Sequence, residues 1–136
     1  MRGARKVYIS SFIYIDRVKE MASPSAENRL YELHAELCKT LSSPVRLRLL
    51  NRLRDGENTV SELVSATGLR QANLSQHLTV LRQRGIVAVR KEGVNAHYRV
   101  ANVKIIRACD LIREVLIEQL TEAQELAKRA SRGEQR

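Results

Sequence analysis

One stretch constrains this chain more than any other. From Val60 to Leu81 it reads VSELVSATGLRQANLSQHLTVL, with Leu63, Leu74, Leu78 and Leu81 at helical spacing and Gly68 between two helical runs. The pattern predicts two short helices joined by a tight turn and locked together by those leucines. Gln71, Asn73, Ser75 and Gln76 then bring both donors and acceptors to the outer side of the second helix, which suits a reader of base edges in the DNA major groove. Thr59-Val60-Ser61-Glu62 matches the capping-box pattern and fixes where the first of the two helices begins.

The flanks complete one architecture. A helix is expected from Ser23-Pro24 to about Leu41, with Leu30, Leu33, Leu37 and Leu41 along one stripe. A second runs from Val45 to Arg54, with Val45, Leu47, Leu49, Leu50 and Leu53 as core and Arg46, Arg48, Arg52 and Arg54 on a solvated face. Asp55 to Asn58 reads as a turn. After Arg84-Gly85 the period changes from helical to alternating, so Ile86 to Lys91 and Ala96 to Val100 are expected as strands around Glu92-Gly93-Val94-Asn95. Helix, turn, helix and basic hairpin make a winged helix-turn-helix, mainly α with a small β-hairpin wing. Asn102 can cap a last helix to about Ala130. Its apolar residues, among them Ile105, Ile106, Cys109, Leu111, Ile112, Val115, Leu116, Ile117 and Leu120, exceed the stripe that one chain would bury. The surplus implies a homodimer, with the first and last helices at a two-fold interface.

At 136 residues the chain supports one compact domain with extensions: residues 1–22 as an N-terminal extension, 23–130 as the folded domain, 131–136 as a polar tail. Residues 7–15 are β-prone without an evident partner, and two readings stand: Met21 is the natural start, or the leader is an arm for DNA or dimer contacts. Lys and Arg outnumber Asp and Glu by 24 to 15, and a net charge of +9 favours a polyanionic partner. No run is long enough to span a bilayer, and Ser10, Ser11, Tyr14 and the charged segment from Asp16 argue against an export signal, which leaves the cytoplasm as the expected compartment. Two cysteines are too few for a disulfide framework. No catalytic triad, carboxylate pair or glycine-rich phosphate loop argues for an enzyme.

Four segments together resemble the ArsR/SmtB family of small winged-helix transcriptional repressors. They are Leu41 to Leu50, Val60 to Leu63, Asn73 to Val87, and His97-Tyr98-Arg99-Val100. The resemblance spans about residues 26–120. It implies a homodimer on a double-stranded operator of inverted repeats, released when a ligand or oxidant alters it. Base readout is expected from Gln71, Asn73, Ser75 and Gln76, with Arg70 reaching a guanine edge or a phosphate. Thr59, Ser61, His77, Arg82, Arg90 and Lys91 are expected on the DNA backbone, with packing as the competing role for His77.

The metal patterns common in the family are a cysteine pair at the start of the third helix or a carboxylate and histidine set on the last helix. This chain has Asn58-Thr59-Val60-Ser61-Glu62 and Asn102-Val103-Lys104 there instead. The sensor candidates are therefore Cys38 and Cys109. Three readings stay open: small buried apolar residues, a thiol switch answering an oxidant or persulfide, or a soft-metal site in which His34 and Cys38 join Cys109 and Asp110 or Glu114. No cofactor is required. The competing functions are a winged-helix module that binds protein, and a sequence-tolerant DNA binder without a sensor.

Overall fold

The computed structural model describes residues 24–133. The expected strand at residues 7–15 lies outside them. The chain divides into two units, one ending at Ser42 and the other beginning at Ser43, and each is described by itself.

The first unit contributes α1, Pro24–Leu41. Glu27 in its first turn and Lys39 in its last complement the helix dipole. The helix is closed by Ser42, whose hydroxyl and amide both donate to the carbonyl of Lys39, at 2.7 and 3.2 Å. Leu30, Tyr31 and Leu33 are exposed along it.

The second unit opens with α2, Pro44–Leu53. Ser43 holds an extended conformation and accepts from the amide of Arg46, while Pro44 occupies the first turn, where its missing N–H costs nothing. Leu49, Leu50 and Leu53 are buried, but Leu47 is 37% exposed and Val45 half-buried, so the expected core of this helix was too wide. Leu47 precedes Leu49 by two residues, about 200° around the helix, and faces the other way.

β1, Asn58–Thr59, is a short strand where the sequence predicts the last residue of a turn and the capping-box start of a helix; it pairs antiparallel with β3, Asn95–Val100, through Asn58 with Tyr98 and Thr59 with His97. α3, Val60–Thr67, and α4, Gln71–Gln83, follow, then β2, Val87–Glu92, and β3, Asn95–Val100. The sheet order is β1-β3-β2, with Val89 opposite Tyr98 and Glu92 opposite Asn95. Pairing thus continues to Glu92 and Asn95, and Gly93-Val94 alone form the turn that was expected to be four residues long.

Leu63 of α3, Leu74, Leu78 and Leu81 of α4, Leu49, Leu50 and Leu53 of α2, and Ile86 and Val87 are each no more than 2% exposed and form the core under the wing. Two glycines set the directions of chain entry and exit. Gly68 ends α3 at φ 69° with its amide on the carbonyl of Val64, and Gly85 ends α4 at the same φ. Beyond Gly85 the amide of Ile86 reaches back to the carbonyl of Leu81, a Schellman closure that drops Ile86 into the core at the mouth of β2.

α5, Val103–Gly133, begins where Asn102 caps it, its side-chain oxygen accepting from the amide of Lys104 at 3.0 Å. It extends past the boundary expected at Ala130, taking three residues of the expected polar tail into the helix; residues 134–136 lie outside the described part. At 31 residues it is about 46 Å long, and none of its residues is buried. Arg54 at the end of α2 holds Asp110 of α5 through two hydrogen bonds, of 2.6 and 3.3 Å.

Candidate nucleic-acid interface

The helix-turn-helix is built from local chemistry. Thr59 and Glu62 close a reciprocal capping box: the Thr59 hydroxyl accepts from the Glu62 amide at 3.2 Å, and the Glu62 carboxylate accepts from the Thr59 amide at 2.7 Å. Thr59, expected on the DNA backbone, therefore also anchors α3. Ser61 lies exposed in the first turn of the same helix. At the turn, the Thr67 hydroxyl donates to the Leu63 carbonyl and accepts from the Leu69 amide, which fixes the path into α4.

Arg70 precedes α4 in an extended conformation, and no side chain caps the helix. With Leu74, Leu78 and Leu81 turned into the core, Gln71, Asn73 and Gln76 are exposed, whereas Ser75 is half-buried. Helical geometry centres the outer face on Ala72, Gln76, Thr79 and Gln83, all exposed, so two polar residues beyond the expected set share it. Thr79 spends its hydroxyl proton on the carbonyl of Ser75, at 2.8 Å. Counting outward from the buried leucines would have found both.

His77 is half-buried, and its Nδ1 accepts from Nε of Arg46 at 3.3 Å. This bond ties the start of α2 to α4 and gives His77 a packing contact between the two helices. It also corrects Arg46, which was expected on a solvated face and is half-buried against α4.

Arg82 and Lys91 are exposed. Arg90 is exposed as well, but Glu57 takes its guanidinium at 2.8 Å and Glu92 at 2.7 Å, so a phosphate must compete for it. The Arg90 bonds hold both carboxyls below the usual carboxylate range and raise the guanidinium further. His97 extends the cluster, its Nε2 lying 3.8 Å from Glu92. The expected basic hairpin is thus partly neutralised and braced to the loop before α3. Lys91 and Arg99 are its exposed cations with no ion pair among the described residues.

Cys38 is exposed on α1, with His34 exposed one turn before it, and Cys109 is half-buried on α5. Burial pushes the Cys109 thiol up, Asp110 adds to the effect, and Arg113 and Arg54 oppose it. Among the described residues no three His, Cys, Asp or Glu side chains gather where they could hold a metal ion.

A family model described as bacterial regulatory protein, arsR family, matches residues 43–89. The uncharacterized HTH-type transcriptional regulator Rv0081 of Mycobacterium tuberculosis is 42% identical over 94 residues, which cover 68% of this chain and 82% of that protein. This chain belongs to the arsR family. Two solved structures agree with its fold. One is the homodimeric winged helix-turn-helix DNA-binding domain Mb0332 of Mycobacterium bovis, 30% identical with a TM-score of 0.66 over 73% of this chain and 92% of that one. The other is the transcriptional repressor BigR of Xylella fastidiosa, 35% identical with a TM-score of 0.60 over 68% and 95%. As an arsR-family protein the chain is a winged helix-turn-helix transcriptional regulator, and its relatives are named as regulators, not as enzymes.

The segment matched by the arsR-family model runs from the cap of α2 into β2. It leaves out α1 and α5, the two helices that carry the cysteines and long exposed apolar faces. The helix-turn-helix therefore lies wholly within the matched segment.

Proposed function

We propose that this arsR-family regulator is a homodimeric repressor that reads an inverted-repeat operator and is released when Cys38 and Cys109 are oxidised. The observation that carries the DNA reading is the α4 face: Gln71, Asn73 and Gln76 stand exposed on a helix whose other side is a fully buried leucine row. Side-chain amides make bidentate contacts with adenine, and Arg70 at the helix entry suits guanine or phosphate. Ser61, Thr59, His77, Arg82, Arg90 and Lys91 position this helix through the backbone or through its own packing. An acidic or apolar face would have favoured a protein partner.

The dimer rests on α1 and α5. Leu111, Ile112, Val115, Leu116, Ile117 and Leu120 are all more than half exposed on α5, a density that a lone chain in water does not sustain. The Mycobacterium bovis neighbour is homodimeric, which supports a dimer for this chain as well. A two-fold dimer presents one α4 per half-site, about one helical turn of DNA apart or a multiple of it. No helix of the described residues is long and apolar enough to cross a membrane, in keeping with a regulator that works on DNA in the cytoplasm.

For the signal, an oxidant such as hydrogen peroxide takes two electrons and two protons from the thiols, one S–S bond forms, and the peroxide leaves as water. Cys38 is exposed and meets the oxidant first, and Cys109, half-buried on α5, supplies the second sulfur of the bond. Cys38→Ser and Cys109→Ser should each bind operator DNA as the reduced protein does and lose the response to peroxide. A response that persists in both variants removes the thiol switch, and release by a soft metal alone would put His34 beside the cysteines as a metal ligand. The reading requires no cofactor.

A further inference from the structure

We propose that the cleft between α2 and the end of α3 binds a small molecule bearing a phosphate on a compact apolar body. The cleft has a volume of about 430 Å³, within the range that small-molecule sites occupy. Val45, Ala66 and Leu69 supply its apolar wall, and Arg48 and Arg52, one helical turn apart on α2, supply its charge.

What marks this cleft is that Arg48 and Arg52 carry no ion pair among the described residues and outnumber the one open carboxylate of its lining, Asp55. Arg54, also in the wall, is held by Asp110 at 2.6 Å, with Asp55 nearby adding to the negative field it feels. Glu62, in the shallower depression that continues past Arg52, is held by the capping box. Two guanidinium forks along one apolar cleft match the three terminal oxygens of a phosphate monoester, one of which the two forks can share. A carboxylate offers two oxygens and fills only one.

The cleft is separate from the reading face, since none of Gln71, Asn73, Ser75 or Gln76 lines it. Its wall is joined to the long helix through Arg54 and Asp110, so a ligand seated there acts on the element that carries Cys109. The same phosphate chemistry has a second source, the DNA backbone, and the test separates the two.

The experiment titrates DNA-free protein with phenyl phosphate and with inorganic phosphate, following backbone amide shifts by nuclear magnetic resonance, and repeats the titration on an Arg48→Gln/Arg52→Gln protein and on Arg48→Lys. The expected result is that phenyl phosphate moves the amides of Val45, Asn51, Ala66 and Leu69 together. It should bind more tightly than inorganic phosphate, about tenfold or more weakly after the double substitution, and with an intermediate loss in Arg48→Lys. Shifts scattered over unrelated arginines, equal affinity for the two probes, or binding unchanged by the double substitution would each overturn the proposal. If the double substitution spares phenyl phosphate but weakens DNA binding, the arginines serve the DNA backbone and the small-molecule site is refuted. Because the titration contains no DNA, its outcome does not depend on the repressor reading.

Discussion

Replacing Ile112 by alanine should break the dimer while leaving the protomer folded. Ile112 sits on α5 with 62% of its surface exposed in the single chain. Fully burying an isoleucine is worth about 1.5–3 kcal/mol, so covering what remains exposed contributes about 1–2 kcal/mol per chain. Truncation to alanine removes most of that, and the two-fold axis doubles it, for a loss of about 2–3 kcal/mol or roughly thirty- to 150-fold in the dimerisation constant. Sedimentation equilibrium reads the constant directly, and far-ultraviolet circular dichroism checks that helix content is unchanged. Val94→Ala is the matched control, because Val94 stands fully exposed at the wing tip and belongs to no apolar face. Equal dimerisation by the wild type and Ile112→Ala would refute the assignment of α5 to the interface.

Other consequences follow from single contacts. Thr59→Ala removes the capping box of α3 and should cost about 1 kcal/mol, lowering Tm by roughly 3–5 °C in a calorimetric scan. Gln76→Ala should erase preference for the operator over scrambled DNA with little change in binding to the latter, whereas Lys91→Ala should weaken both and lower the salt slope by about one. Glu57 and Glu92 are held below the usual carboxylate range by Arg90, so the stability they contribute is complete above that range and is lost as pH falls through their lowered values. Glu57→Gln should therefore lower Tm at neutral pH and flatten its decline in acid; an unchanged acid limb would mean the Arg90 cluster does not brace the wing.

The fold was legible because its signals are local. The leucine period of α4, the Thr59 and Glu62 caps, Asn102 and the change of period after Gly85 each act within a few residues, and each stands where it was read. β1 escaped because two residues carry no period; Asn58 and Thr59 are a strand only because β3 offers them a free edge. Leu47 was misplaced by counting leucines in place of their angle around α2. The long-range partners could not be read at all. Arg46 with His77, Arg54 with Asp110 and Arg90 with Glu57 join residues that only the fold brings together, and nothing in a run of arginines says which will be claimed by a carboxylate and which, like Arg48 and Arg52, will remain open.

The most direct test of the account is fluorescence anisotropy with the DNA upstream of this protein's own gene, against a scrambled duplex of the same length, under reductant and then with peroxide. The account predicts tight binding to the upstream duplex alone when reduced, and release on oxidation that reductant reverses. Equal binding to both duplexes would contradict sequence-specific reading by α4, and specific binding indifferent to peroxide would leave the α4 reading standing and remove Cys38 and Cys109 as its sensor.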